Sequence, residues 1–438
     1  MKSLNKPDLS DAWSALASDY STEILKYPEV GQSNRSGSLE DIANLFHERF
    51  DKLRKVLRQQ AGFRETASIK DCCDERKRVF KNRTYNIIGI VSDTKRTKSG
   101  GKMVTLEDPT GEMKVFIRKE DPASDSLMMD DVVGISGKYD KENQKMFWVD
   151  EVHYADILMN HINRGGPECD PVSIAFLSDI HVGSKYFLQE TWDKMMNWLK
   201  TDTLAKNIKY FVFAGDVIDG IGIYPGQENN LEIANSFDQY EFFARLLDDL
   251  PDHIIPIIIP GNHDAVRPAE PQPILETAVQ QKFNSAIHIG NPCRVNLSGI
   301  EVLAYHGKGM DDLVPALEDV TYENSINGMK HMLKKRHLAP VWGGRNALSA
   351  EETDQMIIER PPDIFVTGHS HSAAFEWYRG IPCLVSSTMQ GQTPFMNMHG
   401  FDSAKGYLTI YNIQNREAKV IQFHPNDDPF GNNYNQHL

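Results

Sequence analysis

The residues of this chain that could do chemistry are histidines, aspartates and one asparagine, and they follow short apolar runs. The run from Ile254 to Ile259 ends at Pro-Gly and leads into Asn262, His263 and Asp264. Because buried strands are apolar and β-branched, this pattern predicts a strand that ends at a polar loop. Four more apolar runs lead into Asp179-x-His181, Asp216-x-x-Asp219, His306 and His369-x-His371. Open α/β sheets place their sites at the carboxyl ends of strands, so we expect one site built from five loops.

These residue types suit a pair of divalent metal ions. Two cations about 3.5–4 Å apart bind the oxygens of a phosphodiester and lower the pKa of an attacking water. Asp216 is the candidate bridge between the ions. Asp179, His181 and a distal histidine would hold one ion, and Asn262 with two histidines would hold the other. His263 would stabilise developing charge or protonate the leaving oxygen.

Three neighbouring residues are candidates for support rather than for metal ligation. Asp219 and Asp264 are expected to be structural or to contact the ligands. Arg267 either pairs with a substrate phosphate or forms a salt bridge to Glu270, and the sequence leaves both open. Each motif alone is more often an incidental turn than a ligand set, so the site is predicted only from all five together.

Length and composition set the class of protein. The 438 residues suffice for two or three domains. The net charge of −14 argues against a protein that coats nucleic acid without sequence preference, but it does not exclude a nuclease. Five cysteines without zinc-type spacing indicate a reduced intracellular protein. There is no apolar run of about 18 residues and no signal-like N-terminus, so we expect a cytoplasmic protein with no membrane contact.

The first 80 residues are expected to be helical and partly disordered. Leu39 to Gln60 carries an apolar helical stripe, and a glycine- and serine-rich stretch precedes it. This region is either a small helical cap or a docking element for another subunit. The expected divisions are an N-terminal region over 1–80, a barrel domain over 81–158, a linker over 159–170, an α/β domain over 171–425 and a loose tail over 426–438.

Five short alternating strands between residues 85 and 153 predict a small β-barrel. Five strands with a basic first hairpin are typical of an oligonucleotide-binding (OB) fold. Its basic loop would contact DNA phosphates, or the barrel would serve only for packing. A second basic run, Lys330 to His337, is expected to be a solvated helix face, with DNA contact as the alternative. The candidate DNA contacts are Lys95, Arg96, Lys98, Lys102, Lys185 and Tyr186.

The five loop motifs resemble those of the calcineurin-like metallophosphoesterases. The resemblance implies a multidomain chain in which an OB-fold barrel precedes a four-layer α/β phosphoesterase domain. It also implies that Asp216 bridges two metal ions and that His263 is catalytic. The implied ligands of the first ion are Asp179, His181, Asp216 and His371, and those of the second are Asp216, Asn262, His306 and His369.

A narrower resemblance is to the small subunits of archaeal family D DNA polymerases. It is carried by residues 178–187 (SDIHVGSKYF), 260–273 (PGNHDAVRPAEPQP), 305–312 (YHGKGMDD) and 336–340 (RHLAP). The eukaryotic relatives have eroded metal ligands, whereas every ligand position is present here. The resemblance therefore implies an active subunit rather than a scaffold alone.

The activity implied is 3′→5′ exonucleolytic proofreading beside a large polymerising subunit. The implied partners are that subunit, DNA with its primer 3′ end and, through the complex, the sliding clamp. Manganese is the expected metal, and magnesium, iron and zinc are alternatives. A catalytically silent scaffold and a phosphoesterase for another phosphate ester are the alternative functions.

Overall fold

A computed structural model of the chain describes residues 15–27, 29–33, 35, 37–74, 83–140, 146–400 and 402–424. The predicted C-terminal tail, residues 426–438, lies outside the described residues, as do the ends of the predicted N-terminal region. The helices are α1 Leu39–Leu57, α2 Ile69–Cys73, α3 Ala123–Ser126, α4 Gln189–Thr201, α5 Ser236–Leu247, α6 Thr277–Gln280, α7 Met310–Ala316, α8 Ser325–Lys335 and α9 Pro394–His399.

The strands form one closed barrel and two six-stranded sheets. The barrel strands are β2 Tyr85–Arg96, β3 Lys102–Asp108, β4 Gly111–Ile117, β5 Val132–Tyr139 and β6 Phe147–Tyr154. The first sheet runs β1-β11-β12-β13-β15-β14, and the second runs β10-β9-β8-β7-β16-β17. Their strands are β1 Ile24–Lys26, β7 Ser173–Leu177, β8 Ile208–Ala214, β9 Ile255–Ile259, β10 Ile287–His288, β11 Cys293–Leu297, β12 Ile300–Tyr305, β13 Ile364–Thr367, β14 Ala374–Tyr378, β15 Ile381–Val385, β16 Tyr407–Asn412 and β17 Ala418–Gln422.

The barrel confirms the predicted five strands. They close in the order β2-β3-β4-β6-β5, with β2 antiparallel to β5 and β4 parallel to β6. Alternate side chains of these strands, such as Val104 and Leu106, fill the interior. The chain is therefore a multidomain mixed α/β protein with a separate closed barrel.

The two sheets stack face to face, and helices cover their outer faces. On β8, Val212 faces the other sheet while Phe211 and Phe213 pack against α4 and α5. On β12, Val302 faces the second sheet, whereas Leu303 packs against α7 and α8. Because both sheets are buried on both faces, their central strands carry continuous apolar runs, as the sequence predicted, with charged residues such as Lys209 and Glu301 near their beginnings.

The five predicted runs are strands β7, β8, β9, β12 and β13. The first three are parallel neighbours in one sheet, and β12 and β13 are parallel neighbours in the other. Their carboxyl ends thus open at one edge of the stacked sheets, which is where the polar loops begin.

The N-terminal region is attached to the body in two ways. Helix α1 begins at a Ser38 capping box, and its Phe50, Leu53 and Leu57 pack between the barrel and Ile357. Before it, β1 extends the first sheet by pairing antiparallel with β11. The sequence predicts the helix but not this strand, because three residues are too few to show a period.

The predicted linker, residues 159–170, contains no helix or strand but is fixed to the body. Asn163 is buried and donates to the carbonyl of Asp363, and Arg164 Nε lies 2.7 Å from Asp363 Oδ2. The barrel is held by a second set of contacts, in which Lys335 of α8 pairs with Asp131 of the barrel in a nearly dry environment.

The expectation of a solvated helix face over Lys330 to His337 is wrong for its last three residues. Lys335, Arg336 and His337 are all buried, whereas Lys330, His331 and Lys334 are partly exposed. Arg336 Nε donates to the carbonyl of Ala155, so this basic run joins the barrel to the α/β body instead of facing DNA. No helix within the described ranges has the length and apolar character needed to cross a bilayer.

Candidate metal centre

The loops after the five strands converge on one polar cluster. Loops that follow β7 and β8 are hydrogen-bonded to each other, with Asp179 N donating to Gly215 O and His181 N to Asp216 O. Gly215 also lets His306 approach from the other sheet, because a Cβ there would lie 2.4 Å from His306 Nδ1. The predicted ligands therefore come together from both sheets.

The backbone at these residues is unusual. Of the ten non-glycine residues with positive φ in the described structure, five are Asp179, His181, Asp216, His369 and His371. Left-handed backbone costs free energy for such residues and is typical of sites where side chains must be aimed. The strain is thus concentrated at the predicted ligands.

The first group of ligand atoms belongs to Asp179, His181 and His371, which lie within 4.8 Å of one another. The Nε2 atoms of the two histidines are 3.1 Å apart, and Asp179 Oδ1 lies 3.4 Å from His371 Nε2. All three side chains are buried, and Asp179 Oδ1 has no hydrogen-bond partner. A buried carboxylate oxygen facing two imidazole nitrogens is a donor set that a divalent cation fits.

The second group is centred on Asp216. Its Oδ2 lies 3.3 Å from His306 Nε2, and Asn262 Oδ1 lies 3.1 Å from the same nitrogen. Asp216 with His306 and Asp179 forms a cluster whose ligand atoms lie within 4.8 Å, and Asp216 with His181 and His263 forms another. Asp216 therefore shares clusters with residues from both predicted ligand sets, His181 of the first and His306 of the second.

His369 is the predicted histidine ligand that belongs to none of these three-residue clusters. Its Nε2 lies 2.9 Å from Asp311 Oδ1, and its ring centroid is 5.3 Å from that of His306. Since Nε2 is bonded to Asp311, Nδ1 is the ring nitrogen left for a ligand. A carboxylate on the far nitrogen is how metal-binding histidines are commonly oriented.

His263 lies at the edge of the cluster and is more accessible, with 16 % of its side chain exposed. Its Nδ1 lies 2.7 Å from the carbonyl of Asp219, which can only accept, so Nδ1 carries the proton. Nε2 is then free and lies 3.9 Å from Asp216 Oδ2. Burial lowers the pKa of His263, which favours a neutral ring with a lone pair on Nε2.

The buried carboxylates and imidazoles of this group shift one another's pKa. Burial would raise the pKa of Asp216, but the neighbouring His306 and His263 bring it well below its usual range. Burial would lower the pKa of His306, but Asp216 and Asp179 raise it to about 10. A cation that took the place of the His306 proton would release it, so the site fits a metal whose binding depends on pH.

Asp219 and Asp264 contact the ligands or their loops, as expected. Asp219 Oδ1 lies 3.0 Å from His181 Nδ1 and fixes the orientation of that ring. Asp264 accepts hydrogen bonds from Gly261 N and from the hydroxyl of Tyr240. Burial and then the charge of Asp216 raise the pKa of Asp264 to about 7.

The prediction for Arg267 is corrected by its contacts. Arg267 forms an ion pair with Glu351 and donates to the carbonyl of Pro271, not to Glu270. Glu270 instead accepts from Tyr305 and Asn346 in the buried core. The guanidinium is thus already paired, and a phosphate would have to compete with Glu351.

The predicted DNA contacts divide by exposure. Lys95, Arg96 and Lys98 are exposed on the first barrel hairpin, and Arg96 also pairs with Asp125. Lys102 is buried and donates to the carbonyl of Leu127, so its prediction as a DNA contact is wrong. Lys102 lies on β3 with the same parity as the buried Val104, a placement that the sequence could not distinguish from an exposed one.

Two other predicted DNA contacts lie beside the metal centre. Lys185 is exposed, and its Nζ donates to the carbonyl of Asn229. Tyr186 is partly buried, and its carbonyl accepts from Gly391 N. Neither residue is in a helix, because α4 begins at Gln189.

Three residues that contact the predicted ligands or their supporting carboxylate Asp219 were missed. Ser178 bonds to Asp179, Gln390 donates to Asp219 Oδ1 at 3.0 Å, and Asp311 bonds to His369. Ser178 and Asp311 lie inside the sequence motifs and could have been noticed as polar neighbours of ligands. Gln390 is 171 residues from Asp219, and no local pattern points to it.

Comparisons with known proteins place the chain in a family. Residues 174–376 match the family of B-type subunits of DNA polymerases alpha and epsilon. The chain is 36 % identical to the DNA polymerase II small subunit of Methanocaldococcus jannaschii, over 92 % of this chain and 68 % of that protein. It is 36 % identical to the Archaeoglobus fulgidus protein of the same name, over 87 % of this chain and 77 % of that protein. The Halobacterium salinarum protein of that name is 33 % identical over 95 % of this chain and 81 % of its own length. With a third of its residues shared across nearly its whole length, this chain belongs to the family of archaeal (family D) DNA polymerase II small subunits.

Proposed function

We propose that this chain is the 3′→5′ exonuclease subunit of a family D DNA polymerase and hydrolyses DNA phosphodiesters with two divalent metal ions. The observation that carries the proposal is the set of three overlapping Asp/His clusters around Asp179 and Asp216. A scaffold would not require buried ligand atoms without partners or five strained residues at one site. The family supports the polymerase context, and the direction of digestion is part of the proposal.

The chemistry proposed follows from the ligands. Two divalent ions, with manganese as the expected metal, would bind the phosphoryl oxygens and make hydroxide available at neutral pH. Asp216 would contact both ions, with Asp179, His181 and His371 on one side. On the other side Asn262, His306 and, through Nδ1, His369 would complete the set.

The protein side chains have separate tasks in this proposal. The Nδ1–H of His263 is bonded to the carbonyl of Asp219, so the ring cannot turn and Nε2 is aimed at the cluster. In the neutral ring Nε2 carries a lone pair, so it would first have to take up a proton, which it would then pass to the leaving oxygen. Asp219 keeps His181 in place through Nδ1, and Asp264 fixes the loop that carries Asn262 and His263.

The proposed partners are the large polymerising subunit, DNA with its primer 3′ end and, through the complex, the sliding clamp. The proposed OB-fold barrel would contribute to DNA binding through Lys95 and Lys98, which are exposed. Near that hairpin the rings of Phe116 and Trp148 lie 4.7 Å apart and are both partly exposed. Charge beside aromatic rings is what barrels of this kind use to bind single strands.

The test is nuclease activity on mismatched 3′ ends with manganese or magnesium, using the chain alone and with its large subunit. Asp216→Ala and His263→Ala should abolish release of nucleotides and leave assembly with the large subunit unchanged. His47→Ala is the matched control, because His47 is an exposed histidine on α1. Normal digestion by both site variants would refute the catalytic assignment. Hydrolysis of phosphopeptides or cyclic nucleotides in preference to DNA would refute the substrate.

A further inference from the structure

Beside the metal centre, two segments expose apolar side chains toward solvent. Ile221 is 47 % exposed and Ile223 is 38 % exposed, both in the loop that follows Asp219. On α9, Phe395 is 44 % exposed and Met398 is 82 % exposed. Exposed apolar residues that gather from distant parts of a chain mark a binding surface more often than scattered ones do.

The two segments meet through a pair of aromatic rings. The centroids of Tyr224 and Phe395 are 5.6 Å apart, with their planes inclined by 33°. We call these two residues together with Ile221, Ile223 and Met398 the apolar rim. The ring contact makes the rim one surface rather than two separate patches.

The first segment is fixed directly to the candidate catalytic residues. A Cβ on Gly220 would lie 2.2 Å from His263 O and 3.2 Å from Ile223 Cδ1, so Ile223 lies beside the backbone of His263. Gln227 accepts from Ile223 N at 2.9 Å and donates to Asp219 O at 2.8 Å.

The second segment is fixed to the same aspartate. Gln390 donates to Asp219 Oδ1 at 3.0 Å, and the next residue, Gly391, donates to the carbonyl of Tyr186. Helix α9 begins three residues later, at Pro394. Asp219 therefore contacts both segments of the rim, through Gln227 and Gln390, and it also orients the predicted ligand His181.

The chemistry of the rim selects the part of a nucleic acid that it can bind. Its side chains offer aromatic and aliphatic faces and no charge, so they suit a base and not a phosphate. A phosphodiester at the metal centre would have its own bases close by, and the rim begins at Ile223, beside the backbone of His263. In duplex DNA the faces of the bases are stacked and hidden, whereas an unpaired end exposes them.

We propose that the apolar rim binds the unstacked base of the terminal nucleotide and so selects single-stranded or frayed ends. This inference rests on the proposed function. The occupant is a nucleobase, recognised through its flat face and therefore without sequence preference. Correctly paired ends would be poor substrates because they must first unstack.

The experiment measures binding to a short single-stranded oligonucleotide by fluorescence anisotropy with Mn²⁺, on the full chain carrying His263→Ala. A second oligonucleotide lacks the terminal base but keeps every phosphate. Adding Tyr224→Ala and Phe395→Ala should weaken binding of the intact oligonucleotide about 5- to 150-fold and leave binding of the abasic one unchanged. Trp377→Ala, which removes a 45 % exposed aromatic ring from β14, should change neither.

Three further observations decide the outcome. Tyr224→Phe with Phe395→Tyr should restore binding, which shows that ring faces and not general folding are responsible. Equal loss on both oligonucleotides, or no loss on either, would overturn the inference. A rim variant that binds DNA normally but no longer co-purifies with the large subunit would also overturn it, since the surface would then be a protein interface.

The inference and the proposed function fail separately. A wild-type chain that prefers the intact over the abasic end but cuts no DNA would refute the nuclease and leave the rim as a base-binding surface. A chain that cuts both oligonucleotides equally well would refute the rim alone.

Discussion

The buried ion pair between Arg49 and Asp354 gives the sharpest stability prediction. Arg49 Nε lies 2.7 Å from Asp354 Oδ2, and the two side chains are 1 % and 3 % exposed. Arg49 also donates to the carbonyl of Pro340, and His337 Nε2 lies 3.0 Å from the same carboxylate oxygen. The pair joins helix α1 to the α/β body. The perturbation is Asp354→Asn, which keeps the shape and removes the charge.

The magnitude follows from burial. Removing one partner of a buried pair leaves the other charge without compensation and costs about 3–5 kcal/mol. That is a large part of the ~5–15 kcal/mol by which a domain is stable. At a urea dependence of about 3 kcal/mol per molar, the unfolding midpoint should fall by about 1 M or more.

The assay is urea unfolding followed by circular dichroism, together with limited proteolysis of α1. Lys200→Ala is the matched control, because Lys200 pairs with Asp249 in an exposed salt bridge and its loss should cost less than about 1 kcal/mol. Asp354→Leu with Arg49→Met should recover most of the loss, since apolar residues of similar size remove both charges. A midpoint for Asp354→Asn within error of wild type would refute the reasoning.

The same pair fixes the direction of acid sensitivity. Burial would raise the pKa of Asp354, but the charge of Arg49 and the bond to His337 hold it well below its usual range. A lowered folded-state pKa gives stability that is present above the unfolded value of about 3.9 and is lost as the pH falls below it. Wild type should therefore lose stability steeply in acid, and Asp354→Asn should lose less.

Three other predictions concern single side chains. Asp311→Asn should weaken manganese retention about 10- to 100-fold without unfolding the chain, because it releases His369, a proposed metal ligand. Equilibrium dialysis measures this, and unchanged retention would contradict the orienting contact. Burial lowers the pKa of His288 to about 4, so wild type should lose stability as the pH falls from about 6.5 towards that value. His288→Leu should show no such loss when urea unfolding is compared at pH 7 and pH 5. Equal losses in both chains would contradict the assignment. Lys95→Ala and Lys98→Ala should each reduce by about 1 the slope of the logarithm of the DNA-binding constant against the logarithm of the salt concentration. Lys102→Met should leave that slope unchanged. The reverse result would contradict the assignment of Lys95 and Lys98 as exposed DNA contacts.

The strands and loops of the site could be predicted because their signal is local. A run such as Ile254 to Ile259 is apolar at every position, and it ends at a glycine that must turn. Parallel strands then bring their carboxyl ends together whatever else the chain does. That is why Asp179, Asp216 and His306 could be assigned to one cluster before any coordinate was known.

The burial of charged residues could not be predicted in the same way. Lys102 and Lys335 lie in basic stretches that look exposed. Lys102 nevertheless donates to Leu127 O, and Lys335 pairs with Asp131, and both partners lie outside the local sequence of these stretches. Gln390 reaches Asp219 for the same reason. Partners of this kind are set by packing between elements, which no window of sequence contains.

The proposed mechanism requires two cations held around Asp216, and metal stoichiometry tests this most directly. Equilibrium dialysis against Mn²⁺ followed by elemental analysis should find two ions per wild-type chain. Asp216→Ala should lose both, because Asp216 is the ligand that the two ions share. An Asp216→Ala chain that retains both ions, or a wild-type chain that binds none, would contradict the two-metal site.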